Sequence, residues 1–169
     1  VETVQLSRRK LSEEDVKEDR EMLKIYENTP FKTDGTPVEN LTFNSRLIAS
    51  RYRCRGIIKK FEDYQKCPTI PMELHTVSFG DEFAFATNRF ELYMDYMHRI
   101  QARSPFPQTF IIQLTGVPGA EGGSYLATER GVWGRGYSAS KYCNVCSPKG
   151  GQELVENTLR MLNDLKAKK

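Results

Sequence analysis

Four cysteines and two histidines are the scarce side chains through which this 169-residue chain could hold a metal or do redox chemistry. Cys143-Asn144-Val145-Cys146 has the Cys-x-x-Cys spacing of a zinc knuckle or a redox pair. A structural zinc site wants a second close-spaced pair, yet Cys54 and Cys67 stand thirteen residues apart. Cys54 also falls on the apolar face of an expected helix, where a buried thiol is ordinary. Reduced or incidental thiols therefore fit the pattern better than a Cys₄ zinc module. His75 lies in an alternating strand pattern and His98 on the outer face of an expected helix, so both read as ordinary strand or surface residues. Glu91 stands near the start of a helix expected over about Phe90–Ala102. A carboxylate there has two readings: a first-turn acid that answers the helix dipole, or a metal ligand aimed into the crevice past a strand's carboxyl end. Glu91, Asp95 and His98 recur at i, i+4 and i+7, a metal-capable spacing that a solvated polar face explains more simply. The Gly119–Gly123 loop could cradle a phosphate, but it lacks the Gly-Lys-Ser/Thr ending of phosphate loops. Trp133, the one tryptophan, could line a lipid-binding groove or anchor its glycine-rich loop to the core.

These residues must be positioned by elements whose signals alternate between strand and helix. Val1–Leu6 alternates as a strand. A strand at the first residue, which is not Met, leads to the expectation of a chain cut from something longer. Ser12 with Asp15 three residues on reads as a helix N-cap, and the helix should run to about Asn28, ended by Thr29-Pro30. A longer helix is expected over about 40–64, with Leu47, Cys54, Ile58 and Phe61 on its apolar side. It also carries Arg46, Arg51, Arg53, Arg55, Lys59 and Lys60, a series that reads as a solvated face before it reads as a binding surface. After Pro68 and Pro71 the period changes to two over Met72–Val77. Gly80-Asp81 makes a turn, and Phe83–Ala86 follows as a short buried strand. Thr109–Leu114 reads as the strongest strand, β-branched and continuous as central strands of α/β sheets are. A glycine-rich stretch follows, and an amphipathic helix over about Gly151–Lys166 closes the chain through Leu154, Val155, Thr158, Leu162 and Leu165. The sum is one α/β unit over residues 1–169, a mixed β-sheet with flanking helices.

Bulk properties narrow the classes. With 38% hydrophobic and 28% charged residues the composition is globular. A net charge of +3 is too slight to point to nucleic acid or an anionic membrane, and no apolar run is long enough for a transmembrane segment.

The order of motifs from Leu74 onward resembles the neutral/alkaline (non-lysosomal) ceramidase-like family. Gly80-Asp81, the helix opening at Glu91 and Ala102-Arg103-Ser104-Pro105-Phe106-Pro107-Gln108-Thr109-Phe110 follow that family's Gly-Asp, Pro-Gly-Glu, helix, then Lys-x-x-Ser-Pro-Phe-x-x-Thr-Phe. Ser124-Tyr125-Leu126-Ala127-Thr128-Glu129 resembles its Gly-Tyr-x-x-Thr-Arg/Glu segment, and Gly134-Arg135-Gly136-Tyr137 its Gly-Gly-Tyr. The resemblance implies the C-terminal portion of a zinc-dependent amidohydrolase that cleaves an N-acyl amide in a ceramide-like lipid. It implies Glu91 and Tyr125 as Zn²⁺ ligands, with two histidine ligands from the N-terminal half of a parent protein, which is then this chain's partner. The isolated chain is expected to be inactive. Relatives are often secreted or surface-associated. Two departures from the family pattern stand out: Arg89-Phe90 replaces Pro-Gly, and the stretch Leu114–Ser124 is longer. They support an alternative, a ceramidase-like domain that lost its metal and serves binding or structure.

Overall fold

The computed structural model describes residues 1–117 and 124–168. It is α/β, with helices and mixed strand pairings. Packing gathers the chain into two compact units: Val1–Arg9 with Pro68–Lys169, and Lys10–Cys67.

The unit formed by Lys10–Cys67 is a helical hairpin. Helix α1 spans Glu13–Asn28 and opens on the expected box, in which Ser12 accepts from the Asp15 amide while Asp15 accepts from the Ser12 amide. Helix α2 spans Pro37–Lys66 and starts earlier than expected, because Thr36 and Glu39 form a second capping box and Pro37 occupies the first helical turn. Proline is welcome there, where no amide is needed. Leu47, Cys54, Ile57 and Phe61 are the buried side chains of α2. Ile57 rather than the expected Ile58 is the fully buried member and Ile58 is half-buried, though both keep helical spacing with Cys54 and Phe61. Leu11, Val16, Ile57 and Phe61 form the small core. Arg51 reaches back to the carbonyls of Tyr26 and Thr29 at 2.8 and 2.7 Å, supplying donors to the last turn of α1.

The other unit carries every strand. Strand β1 (Glu2–Ser7) pairs antiparallel with β2 (Thr69–Leu74), Val4 opposite Met72 and Leu6 opposite Ile70. The alternating run ends at His75, and a separate strand β3 (Thr76–Phe79) turns through Gly80, at φ 54°, into β4 (Phe83–Thr87). Strand β6 (Gln108–Ile112) lies parallel to β4, so the three-stranded order is β3-β4-β6. The central strand is therefore β4, whose Ala84 and Ala86 are buried, while Phe110 and Ile112 on β6 stay partly exposed. A β-branched run reads as central because its burial on both faces cannot be inferred from type alone. Between β4 and β6 come a two-residue strand β5 (Glu91–Leu92) and helix α3 (Met94–Arg103). After β6 come β7 (Tyr125–Leu126), helix α4 (Glu129–Trp133), a 3₁₀ turn at Tyr137–Ala139 and helix α5 (Pro148–Ala167).

Helix α5 closes the main core. Leu154, Val155, Leu159, Met161 and Leu162 pack with Val4, Leu6, Ile70, Met72, Tyr96 and Ile100. Its first turn comes very close to its neighbours: a side chain at Gly150 would meet Ser7, and one at Gly151 would meet Tyr96. Tyr96, fully buried, donates to the carbonyl of Ala127 at 3.0 Å, and the carbonyl of Pro148 lies 3.2 Å from its hydroxyl. Glu153 accepts from both the amide and the hydroxyl of Ser7, at 2.6 and 2.8 Å.

Candidate metal half-site at Glu91 and Tyr125

Phe90 is fully buried and Leu92 nearly so, a period-two pattern that keeps Glu91 extended and outside any helix. The helix begins at Met94, with Tyr93 as a cap that makes no side-chain bond. Both the first-turn reading of Glu91 and the shared helix face with Asp95 and His98 are thereby corrected. Phe90 stands just before β5 and is buried there, outside the helix, although it falls at helical spacing with Tyr93, Met97 and Ile100. Asp95 and His98 are exposed on α3.

Strand β5 pairs parallel with β7, and the register sets Glu91 opposite Tyr125 and Leu92 opposite Leu126. The amide of Glu91 donates to the Ser124 carbonyl and that of Tyr93 to the Leu126 carbonyl, each at 3.2 Å. Gln113, just past β6, accepts from the Leu92 amide at 2.7 Å, tying the short ribbon to the larger sheet. Leu92 and Leu126 turn into the core, while Glu91 and Tyr125 remain half-buried. The Glu91 carboxylate beside Tyr125 raises the phenol above its ordinary value, through hydrogen bonding first and its charge second.

Around the pair stand residues the sequence did not single out as a group. Tyr137 meets Tyr125 edge to face, with ring centroids 6.1 Å apart. The hydroxyls of Tyr93 and Ser138 lie 2.7 Å apart. Asn144, buried, accepts from the Ala127 amide and donates to the carbonyls of Ser138 and Ser140. It thereby holds the segment after α4 against the strand that carries Tyr125. The only signal for this role was an asparagine between two cysteines, which reads first as a spacer. Leu114, at φ 55°, adopts a left-handed conformation just past β6.

The other candidates fall elsewhere. None of the four cysteines is in a disulfide: Cys54 and Cys146 are buried, Cys143 is half-buried and Cys67 exposed. Among the described residues no three His, Cys, Asp or Glu side chains gather as a metal group. His75 contacts Glu73, Nε2 to Oε1 at 2.8 Å. Trp133 is 85% exposed, so it does not anchor its loop to the core. The Gly119–Gly123 loop lies outside the described residues. A groove of about 690 Å³, lined by Phe83, Phe85, Pro107 and Phe110, sits at the opening ends of β4 and β6, away from Glu91.

A carboxylate and a phenol side by side are both oxygen donors that a zinc ion accepts. As two ligands they fall short of the three protein ligands of a usual catalytic site, so they fit as half of one. No family model, no curated protein and no solved structure matches this chain.

Proposed function

We propose that this chain is the C-terminal portion of a zinc-dependent amidohydrolase resembling the neutral/alkaline ceramidases, acting on an N-acyl amide of a ceramide-like lipid. The observation that carries the reading is the pairing of Glu91 with Tyr125 across β5 and β7. The resemblance names these two residues, thirty-four positions apart, and they are partners in one ladder.

In this reading Glu91 and Tyr125 hold Zn²⁺ together with two histidines from the N-terminal half of the parent protein. The ion, when bound, would lower the pKa of a water and polarise the amide carbonyl. The neighbouring Glu91 carboxylate holds the Tyr125 phenol protonated above its ordinary range. A divalent cation held here would favour the phenolate form of Tyr125, whose charge it would stabilise.

The test compares zinc content and fatty-acid release for the protein joined to its histidine-bearing half, against Glu91→Gln and Tyr125→Phe. Loss of zinc and of turnover is expected in both. Turnover at the unmodified rate in either variant overturns the reading.

A second reading, a relative that kept the fold without the metal, is favoured by Arg89 and Phe90. Both are buried where the family has a Pro-Gly turn, so the approach to Glu91 is built from core packing. Zinc absent at stoichiometric level from the joined protein would favour it.

A further inference from the structure

We propose that the outward face of α2 docks on a lipid bilayer surface rich in anionic headgroups. Val38, Leu41, Ile48 and Tyr52 follow each other at three-, seven- and four-residue steps and are 54–80% exposed. At 100° per residue they lie nearly opposite the buried set Leu47, Cys54, Ile57 and Phe61. The helix is thus apolar on two faces, one of which packs within the hairpin and one of which meets solvent.

The charge around the second face selects its partner. Between Glu39 and Glu62 the helix carries six basic residues and no acid. Arg46 and Arg53, both exposed, border the stripe on one side, while Arg55 and Lys59 prolong it toward the carboxyl end. Arg51 lies over the ring of Phe31, itself half-exposed, at 5.2 Å. Part of this charge is already answered within the hairpin, Arg55 by Glu27 and Lys59 by Asp63, through exposed pairs that a stronger field can outcompete.

An aliphatic centre flanked by long cationic side chains is the pattern of a helix lying in the bilayer interface, its apolar side chains among acyl chains and its cations at headgroup level. A second copy of the same face would bring cations against cations. Nucleic acid would meet the cations and find one stacking ring, Tyr52, but gain nothing from Val38, Leu41 and Ile48, which make up the rest of the stripe. No helix among the described residues is long and apolar enough to cross a membrane, so the contact is one of lying on the surface. A net charge of +3 for the whole chain conceals this local concentration.

The experiment uses the 169-residue chain, with co-sedimentation on vesicles of phosphatidylcholine alone or mixed with phosphatidylserine, at low and high salt. Binding to the mixed vesicles is expected, weakened by salt. It should fall at least about tenfold for the Arg46→Glu, Arg53→Glu pair, as two lost cations near the surface imply. The Leu41→Glu, Ile48→Glu pair should lose binding with the helical circular dichroism intact, because these side chains are exposed. As a second measure, Tyr52→Trp in a Trp133→Phe background should shift to shorter emission wavelengths on mixed vesicles. Equal affinity for both vesicle types, binding retained by Leu41→Glu with Ile48→Glu, or preference for DNA over vesicles in competition would each overturn the proposal. So would a dimer that those substitutions abolish in the absence of vesicle binding. The inference does not rest on the proposed activity: Glu91→Gln should leave vesicle binding unchanged.

Discussion

Glu91 and Tyr125 face each other across a parallel ladder only two residues long, and the carboxylate raises the phenol above its ordinary value. That makes the Tyr125 phenol a measurable reporter of Glu91. Replacing Glu91 by Gln removes the charge that holds the Tyr125 proton, so its titration should move down toward an ordinary phenol. Ring-carbon NMR of Tyr125 across alkaline pH reads this directly. An unchanged midpoint would show that the two side chains do not meet in solution.

The contact of α5 with Tyr96 sets a packing test. Gly151→Ala pushes a methyl group into the Tyr96 ring, and neither the helix nor a fully buried ring has room to yield. A loss of about 2 kcal/mol is expected from overpacking, read by urea denaturation. Tyr96→Phe keeps the shape but removes the donor to the Ala127 carbonyl, with an expected loss of about 1–2 kcal/mol.

The thiols separate by burial. Under native conditions a disulfide reagent should modify Cys67 first and Cys143 more slowly, and reach Cys54 and Cys146 only on unfolding. Equal rates at Cys143 and Cys146 would contradict the burial of Cys146.

Burial also pushes the Cys146 thiol up to about 12. The folded chain keeps this thiol neutral while the unfolded chain ionises it above its ordinary value of 9. Its contribution to stability is therefore complete below pH 9 and declines as pH rises toward 12, by at most about 1.4 kcal/mol per pH unit. Tyr96, raised by the same cause, adds a loss of the same sign at higher pH. Urea midpoints at pH 8 and about 10.5 should differ, and Cys146→Ala should shrink the difference.

The hairpin depends on its caps. Ser12→Ala and Thr36→Ala each remove one half of a reciprocal capping box and should cost about 1 kcal/mol of local stability. Hydrogen exchange in the first turns of α1 and α2 would show it.

The sequence by itself determined what depends on near neighbours. Ser12 with Asp15, the stop at Thr29-Pro30, the turn at Gly80 and the stripe of α5 are written in residues three or four positions apart, where caps and helix faces are made. Glu91 was legible as a chemical candidate through the order of motifs around it, though its local structure was not. Only the tertiary structure decided that Glu91 lies in a strand. Phe90 and Leu92 are drawn into a core built largely from distant segments, and that burial outweighs the helical spacing of Phe90 with Tyr93. The same holds for the rank of the strands. Thr109–Ile112 has the residue types of a centre, but β4 has neighbours on both sides, and which strands pair is settled by contacts far apart in the chain. Tyr125 was named by the same order of motifs, but that it stands opposite a carboxylate was set only by the ladder, which joins segments far apart in the chain.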